Sequence, residues 1–282
     1  MSALSARLAW PWRRPRVGIA FSPHMLLALR AENGARAVRR DLPPGLLVPG
    51  AVTPNIHSVR EVAQLASGMV DELSGRGGTA AVLLPDLTVV SAVFPASQGV
   101  AERELGSKLA PRLGFPASEA RSGYWRGGKG EVLGAAVREA VVRQYEQVVE
   151  AAECRPGWID AASLVRIPSW GEASASDPGT ILVEALLYRS HYALAIFRQG
   201  ELIGVRTRLR SGDDVDAVAA EIRRLPAIYD IPALGAVVLS GEGASACARL
   251  LSEPPLDARL SFEDGGEERQ LEVALAALLQ RS

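Results

Sequence analysis

The sequence is poor in residues that carry disulfide, metal or aromatic chemistry. Among 282 residues there are two cysteines and three histidines, and aromatic residues make up 5%. Cys154 and Cys247 lie far apart without a partner motif, so we expect free thiols, although the sequence alone leaves a disulfide open. The histidines share no ligand spacing with one another or with either cysteine. We therefore predict no metal site.

The chain also lacks a strong net charge and a long apolar run. Its formal net charge is −1, which removes the global electrostatic argument for binding nucleic acid. No stretch approaches the ~20 consecutive apolar residues of a transmembrane helix. Hydrophobic residues nevertheless make up 48% of the chain, so its length suits one large domain or two joined lobes with substantial cores.

Residues 1–16 are predicted to form a disordered basic leader. The larger basic cluster follows the apolar residues, whereas in a secretory signal peptide the basic residues come first. Trp10 and Trp12 stand beside Arg13 and Arg14, and this pairing of residue types also suits contact with an anionic membrane surface. Both interpretations stay open.

Apolar periodicity predicts a mixed α/β organisation in the first part of the chain. Residues 17–30 are expected to form two strands joined by a tight turn at Ser22-Pro23, with a third strand of the same meander at 35–42. Further elements follow in order: a helix at 59–73, strands at 80–84 and 88–94, a helix at 102–113, a glycine-rich turn at 122–131, a strand at 132–137 and a helix at 138–152.

The pattern restarts after 171–179, a segment rich in Gly, Ser, Ala, Asp and Pro, where we place the lobe boundary. Three strands are predicted at 180–187, 191–198 and 202–209, followed by a helix at 215–225, a buried strand at 236–240 and helices at 244–251 and 267–281. The acidic residues Glu263 and Asp264 are expected in a turn before the last helix, whose N-terminus favours acidic residues.

Both halves therefore begin with an antiparallel meander that leads into helices, as in the duplicated actin-like ATPase superfamily. Within it, the chain resembles the PilM family, the cytoplasmic actin-like component of type IV pilus machines, and the related cytoplasmic part of GspL in type II secretion. The order of short matches from Val17 onward carries the resemblance. The matches are 17–19 for the opening strand, 84–85 and 94–95 for the inserted subdomain, 200–202 for a second-lobe hairpin, and 239–244 for the turn that approaches adenosine.

The resemblance implies a two-lobed actin-like (ribonuclease H-like) α/β fold. Lobe 1 would span 17–170, with an inserted small subdomain at about 85–155, and lobe 2 would span 180–282. Family members close a complete small subdomain over the nucleotide base. Here the stretch from 212 to 236 has room for little more than one helix, so we expect the second small subdomain to be much reduced or absent.

The resemblance also implies two phosphate-binding hairpins, each with a glycine and an acidic residue that organises Mg²⁺ and water. In the first hairpin, the aspartate and glycine positions hold Ala20 and Ser22, and the Pro23 that follows has no N–H to donate. In the second, Glu184 keeps a carboxylate, but Leu186 puts a branched side chain where a phosphate approaches the backbone.

The adenosine turn is altered too. Gly241 and Gly243 are present, but Glu242 stands between them, and its carboxylate would repel a triphosphate. We therefore predict no catalytic residue and no bound ATP or magnesium, with the three loops kept as vestigial positions.

The resulting hypothesis is a non-catalytic cytoplasmic scaffold, peripheral at the inner membrane, in a type IV pilus or type II secretion-like assembly. The resemblance implies a partner, the cytoplasmic tail of a PilN-like membrane protein bound in a first-lobe groove, alongside other inner-membrane components. The alternatives are a divergent nucleotide-binding actin-like ATPase or a kinase of the superfamily, and an actin-like protein that polymerises or tethers to membrane.

Two side-chain patterns have competing interpretations. Arg206, Arg208 and Arg210 alternate along a predicted strand and would share one face, either as a solvent-facing edge or as a site for an acidic partner. No Ser/His/Asp arrangement is predicted, because His191 and the other histidines lie in unrelated local contexts.

Overall fold

The computed structural model describes residues 15–30, 36–167, 180–210, 214–253 and 258–281. Almost all of the predicted leader and the whole predicted linker lie outside these residues, so the leader and the lobe boundary stay predictions. Both cysteines are free and buried, which confirms the expected thiols. Among the helices described, none combines the length and apolarity that crossing a bilayer requires.

Two five-stranded sheets share one strand order. The first contains β1 (Val17–Phe21), β2 (Met25–Arg30), β3 (Arg36–Asp41), β4 (Thr79–Leu84) and β8 (Arg155–Ala161), in the order β3-β2-β1-β4-β8. The second contains β9 (Thr180–Leu187), β10 (His191–Arg198), β11 (Glu201–Leu209), β12 (Ala233–Gly241) and β13 (Arg259–Asp264), in the order β11-β10-β9-β12-β13. In each, an antiparallel meander is extended by two parallel strands. The predicted duplication is therefore confirmed as two sheets with the same strand order.

A third sheet is inserted between β4 and β8. It consists of β5 (Val90–Phe94), β6 (Ala120–Arg126) and β7 (Val132–Arg138), in the order β5-β7-β6. The turn predicted at 122–131 is wrong over its first half, because residues 120–126 pair along the whole of β7. The helix predicted at 102–113 is confirmed in position, but only α2 (Leu105–Leu109) is α-helical: a 3-10 turn precedes it, and another, at Ala110–Arg112, follows it. Pro111 in that turn lacks the N–H that would extend the α-helix.

Helices cover the outer faces of the two large sheets. On the first sheet, α1 (Val59–Glu72) and α3 (Glu139–Ala151) bury apolar stripes that pack together. On the second, α4 (Val215–Ile228) and α5 (Ala244–Leu251) do the same. These four predicted helices are confirmed. In the described residues between β11 and β12, α4 is the one helix, which confirms the reduced second small subdomain.

Strand β13 was missed by the sequence analysis. Its residues are mostly exposed, and only Leu260 and Phe262 alternate with polar residues, so the periodic stretch is too short to predict a strand. Pairing with β12 forms it, with Ser240 opposite Glu263 and Gly241 opposite Asp264. The turn predicted at Glu263 and Asp264 is therefore wrong.

The last helix, α6 (Glu267–Arg281), joins the two lobes. It packs on β1, β2 and β4 of the first sheet and on β12 of the second. The hydrophobic core around it draws on both lobes, with Leu27 and Leu83 from the first, Leu186 from the second and Leu275 from the helix itself. At the point of contact with β1, a Cβ added to Gly18 would lie 2.7 Å from Cδ2 of Leu275.

The inserted sheet is also tied to the second lobe. The buried carboxylate of Glu131, just before β7, accepts a hydrogen bond of 3.2 Å from the backbone N–H of Leu202 at the start of β11. Strand β5 lies beside β11. The inserted subdomain therefore forms a second contact between the lobes, in addition to α6.

We expect Gly18→Val to lower the free energy of unfolding by about 1–3 kcal/mol, because the new side chain must displace the buried Leu275. The measurement is urea unfolding followed by circular dichroism. Gly68→Val is the matched control, since Gly68 lies in α1 and a Cβ there meets no atom within 4 Å. The control should change stability by less than about 0.5 kcal/mol. Equal effects of the two substitutions would contradict the proposed packing constraint.

Candidate functional site

The turn between β1 and β2 is closed by its own serine. The buried Oγ of Ser22 accepts hydrogen bonds from the backbone N–H of His24, at 3.2 Å, and of Met25, at 3.1 Å. The N–H of Ser22 donates to the carbonyl of Met25 at 3.0 Å. Pro23 has no N–H. The donors that a phosphate-binding hairpin would offer to a ligand are therefore used inside the turn.

The turn between β9 and β10 is filled by an aromatic ring. Tyr188 stacks on His191, with ring centroids 4.4 Å apart and an interplanar angle of 8°. The N–H of Tyr188 donates to the carbonyl of His191 at 2.9 Å. Tyr188 is fully buried and its hydroxyl has no hydrogen-bond partner among the described residues. The stack therefore occupies the turn that follows the predicted vestigial positions Glu184 and Leu186.

The other substituted hairpin positions have become part of the core. Ala20 and Leu186 are both buried in the hydrophobic cluster shared by the lobes. Glu184 is also buried, and burial, opposed by Arg166, raises the pKa of its carboxyl to about 8. A carboxyl that holds its proton near neutral pH is a poor ligand for a divalent cation. Within the described ranges, no three His, Cys, Asp or Glu side chains converge closely enough to hold a metal ion.

The two glycines of the third loop have packing roles. Gly241 has a φ of +115°, and a Cβ there would lie 2.0 Å from the carbonyl oxygen of Leu187. This close approach allows the N–H of Glu242 to donate to the same oxygen at 2.9 Å. Gly243, with a φ of +82°, precedes the first residue of α5. Both glycines therefore fix the β12–α5 turn against β9.

A buried hydrogen-bond relay crosses between the lobes. Asp86, after β4, accepts from the N–H and the hydroxyl of Ser163, both at 2.8 Å. Its other oxygen lies 3.2 Å from Nε2 of His191, and Nδ1 of His191 lies 3.2 Å from Oγ of Ser190. This geometry fits an Nε2–H donor to the carboxylate and an Nδ1 acceptor for the hydroxyl. The expectation that no Ser/His/Asp arrangement exists is wrong, because the fold brings together residues 105 positions apart.

Glu267 at the start of α6 lies on the floor of the same region. Its side chain is buried and lies near the hydroxyl of Ser22. Burial raises the pKa of the Glu267 carboxyl, while the nearby His191 and His24 act in the opposite direction. Sequence analysis treated this residue as an ordinary acidic helix start. The structure instead places a carboxyl of the chain between the two vestigial hairpins.

These groups border a cavity of about 780 Å³ between the lobes. Its polar floor includes Glu242 and Glu267. Residues of both lobes complete the lining, among them His24, Met25, Leu42, Leu47, Val48, Leu87, Arg189, Ser190 and Leu209. The cavity therefore lies between the first and second hairpins, where the family resemblance places the nucleotide.

The three alternating arginines do not form one solvent-facing row. Arg206 pairs with Glu221 at 2.8 Å, and Arg208 lies 4.0 Å from the same carboxylate. Arg210 is buried, and its guanidinium donates to the carbonyl of Glu242 at 2.7 Å. The shared face predicted for Arg210 is wrong, because β11 ends at Leu209 and the chain turns inward there.

No protein-family model matches the chain, and the search of curated proteins finds no match. Solved structures do match. The PilM–PilN type IV pilus biogenesis complex is 16% identical, with a TM-score of 0.71 over 94% of this chain and 98% of that chain. A protein with actin-like ATPase fold and unknown function from Bacteroides thetaiotaomicron is 11% identical, with a TM-score of 0.64 over 94% and 95%. The chain has the actin-like ATPase fold.

A further similar structure is the cytoplasmic domain of EpsL, an inner-membrane component of the type II secretion system of Vibrio cholerae. It is 10% identical, with a TM-score of 0.52 over 92% of this chain and 93% of that chain. At such identities the likeness establishes the actin-like fold, and the activity has to be argued from the site.

The raised pKa of Glu184 predicts a pH-dependent stability. The folded protein holds this proton up to a pKa of about 8, whereas the ordinary carboxyl value is 4.5. Between these values the folded state binds more protons than the unfolded chain, so the free energy of unfolding falls as pH rises. We expect Glu184→Gln to be more stable than the parent at about pH 9, on the order of 1–3 kcal/mol, and to match it near pH 4.

The test is urea unfolding of both proteins at the two pH values. Glu272→Gln is the control, because Glu272 lies on α6 and forms a partly exposed pair with Arg269. It should not change the pH dependence measurably. If Glu184→Gln and the parent lose stability equally between the two pH values, the buried, protonated carboxyl is refuted.

Proposed function

We propose that this chain is a non-catalytic cytoplasmic scaffold, peripheral at the inner membrane, of a type IV pilus or type II secretion-like assembly. The observation that carries the proposal is the likeness along nearly the whole chain to the PilM–PilN complex. The similarity extends over both lobes and the inserted sheet. The two structures therefore share the complete arrangement of subdomains rather than a single lobe. The likeness to the EpsL cytoplasmic domain supports the same setting.

The site supports the non-catalytic part of the proposal. Phosphoryl transfer depends on backbone and metal-held charges aimed at the phosphates. Here the first hairpin's N–H groups bond Ser22, and Leu186 is buried in the core. The carboxyl groups of Glu242 and Glu267 border the cavity in which a nucleotide would lie. Negative charge at that position opposes an incoming triphosphate.

The proposed partner is the cytoplasmic tail of a PilN-like membrane protein, bound as an extended peptide in a first-lobe groove. Within the described residues, β3 and β8 are the edges of the first sheet, and β5 and β6 are the edges of the inserted sheet. Such edges accept a peptide through main-chain hydrogen bonds. The segment with Trp10, Trp12, Arg13 and Arg14, outside the described residues, is proposed to contact the membrane surface.

The test of the partner is calorimetric titration with the synthetic tail of a PilN-like protein encoded beside this chain. We expect saturable binding of the tail and none of a scrambled peptide of the same composition, since strand pairing needs side chains in a defined order. Equal heats from the two peptides, or none from either, would overturn the assigned partner.

The nucleotide alternative predicts a different result. A ligand that binds the folded state raises the melting temperature, and the rise grows with the logarithm of ligand concentration. We expect no shift with Mg-ATP, because the hairpin donors are already engaged. The melting temperature is measured at increasing concentrations of Mg-ATP, and Mg-sulfate is the ionic-strength control. A melting temperature that climbs with ATP and not with the control contradicts the non-nucleotide assignment.

A further inference from the structure

One oxygen on the floor of the inter-lobe cavity is buried without a hydrogen bond. Glu267 is 4% exposed and lines the cavity, and its Oε2 has no partner among the described residues. Its other interactions are the Ser22 hydroxyl and the nearby imidazoles of His24 and His191. Buried polar atoms are normally hydrogen-bonded, and leaving one unpaired is costly. This oxygen therefore indicates a donor supplied from outside the chain.

A second carboxyl borders the same cavity, while the nearby basic side chains of Arg39 and His191 are held by other partners. Glu242 lines the cavity and lies close enough to Glu267 to raise its pKa. Arg39 pairs with Asp41 at 2.5 Å and with Glu268 at 2.7 Å. His191 is held by Asp86 and Ser190. The floor thus presents carboxyl groups to any ligand that enters.

The walls above these carboxyl groups are apolar. Met25, Leu42, Leu47 and Leu87 line the first-lobe side. Val48 of the first lobe and Leu209 of the second stand exposed at 49% and 75%, and both line the cavity. A cavity with apolar walls and a few convergent polar groups is typical of a ligand site. The ligand that fits carries a hydrogen-bonding cation at the end of an aliphatic stem.

We propose that this cavity binds an alkylammonium or alkylguanidinium group, with the cation on Glu267 and Glu242 and its aliphatic stem along the first-lobe wall. The same chemistry is offered by a lysine or arginine side chain of a partner segment and by a free alkylamine. The proposal does not depend on the PilN-like partner, whose groove is placed in the first lobe. It assigns a ligand to a cavity whose hairpins are predicted to offer no binding site for phosphate.

The test is a ligand-observed NMR titration of the full chain with two pairs of probes. Hexylamine is compared with hexanol, and a capped Leu-Lys-Leu peptide with the same peptide acetylated on the lysine amine. Each neutral probe keeps the stem and removes the charge. We expect the neutral probe of a binding pair to bind about tenfold more weakly, as for the loss of one charge-assisted hydrogen bond. Binding by both cations means that the pocket accepts a free amine, and binding by the peptide alone points to a partner segment.

Matched variants locate the binding. Glu267→Gln should weaken the binding of either cationic probe about tenfold. Glu272→Gln on the same helix should leave that binding unchanged. Arg189→Ala should strengthen binding, because Arg189 is an exposed cation that lines the cavity and can compete for the same carboxyl groups. If Glu267→Gln fails to fold, the same titration with charged and neutral probes is made on Glu242→Gln instead. No binding by either cation, equal binding of charged and neutral probes, or equal loss in Glu272→Gln overturns the proposal.

Discussion

The packing of α6 on β1 is the contact on which the two-lobed structure depends. The helix follows the second sheet in sequence but buries Leu275 against the first sheet at Gly18, where an added Cβ would lie 2.7 Å from Cδ2 of Leu275. Through it the two lobes share one hydrophobic core rather than meeting across a water-filled interface. The same placement brings Glu267, the first residue of α6, to the floor of the cavity. Lobe association and the chemistry of the site therefore have one structural cause.

The two hairpins predicted to be altered phosphate sites are built into the contact between the lobes. Ser22 replaces a ligand as the acceptor for its own turn, and Leu186 adds apolar area to the shared core. The buried pair of Asp86 and His191 then links the first lobe to the start of β10. Groups that would serve a bound nucleotide are instead satisfied by one another. A cleft held in this way is suited to a scaffold that keeps one arrangement of its lobes.

Much of the fold could be predicted because its signals are local. The amphipathic stripes of α1, α3 and α6 and the buried runs of β4 and β9 each depend on a single element's periodicity. Prediction failed where pairing with another strand decided the outcome. Strand β6 exists because β7 lies beside it, and β13 because β12 does. Strand β6 has no apolar alternation, and in β13 the alternation is limited to Leu260 and Phe262, which is too short to predict a strand.

The sequence by itself determined the duplicated α/β architecture and the reduced second small subdomain. It also predicts hairpins without phosphate chemistry, since Ala20, Ser22 and Leu186 supply neither a glycine nor an acidic ligand. Tertiary structure alone decided what replaced that chemistry. The relay through His191 joins segments 105 positions apart, and one oxygen of Glu267 has no hydrogen-bond partner among the residues described. The environment of a buried polar group is set by which distant elements surround it. The local sequence around a buried polar group therefore cannot predict which residues surround it.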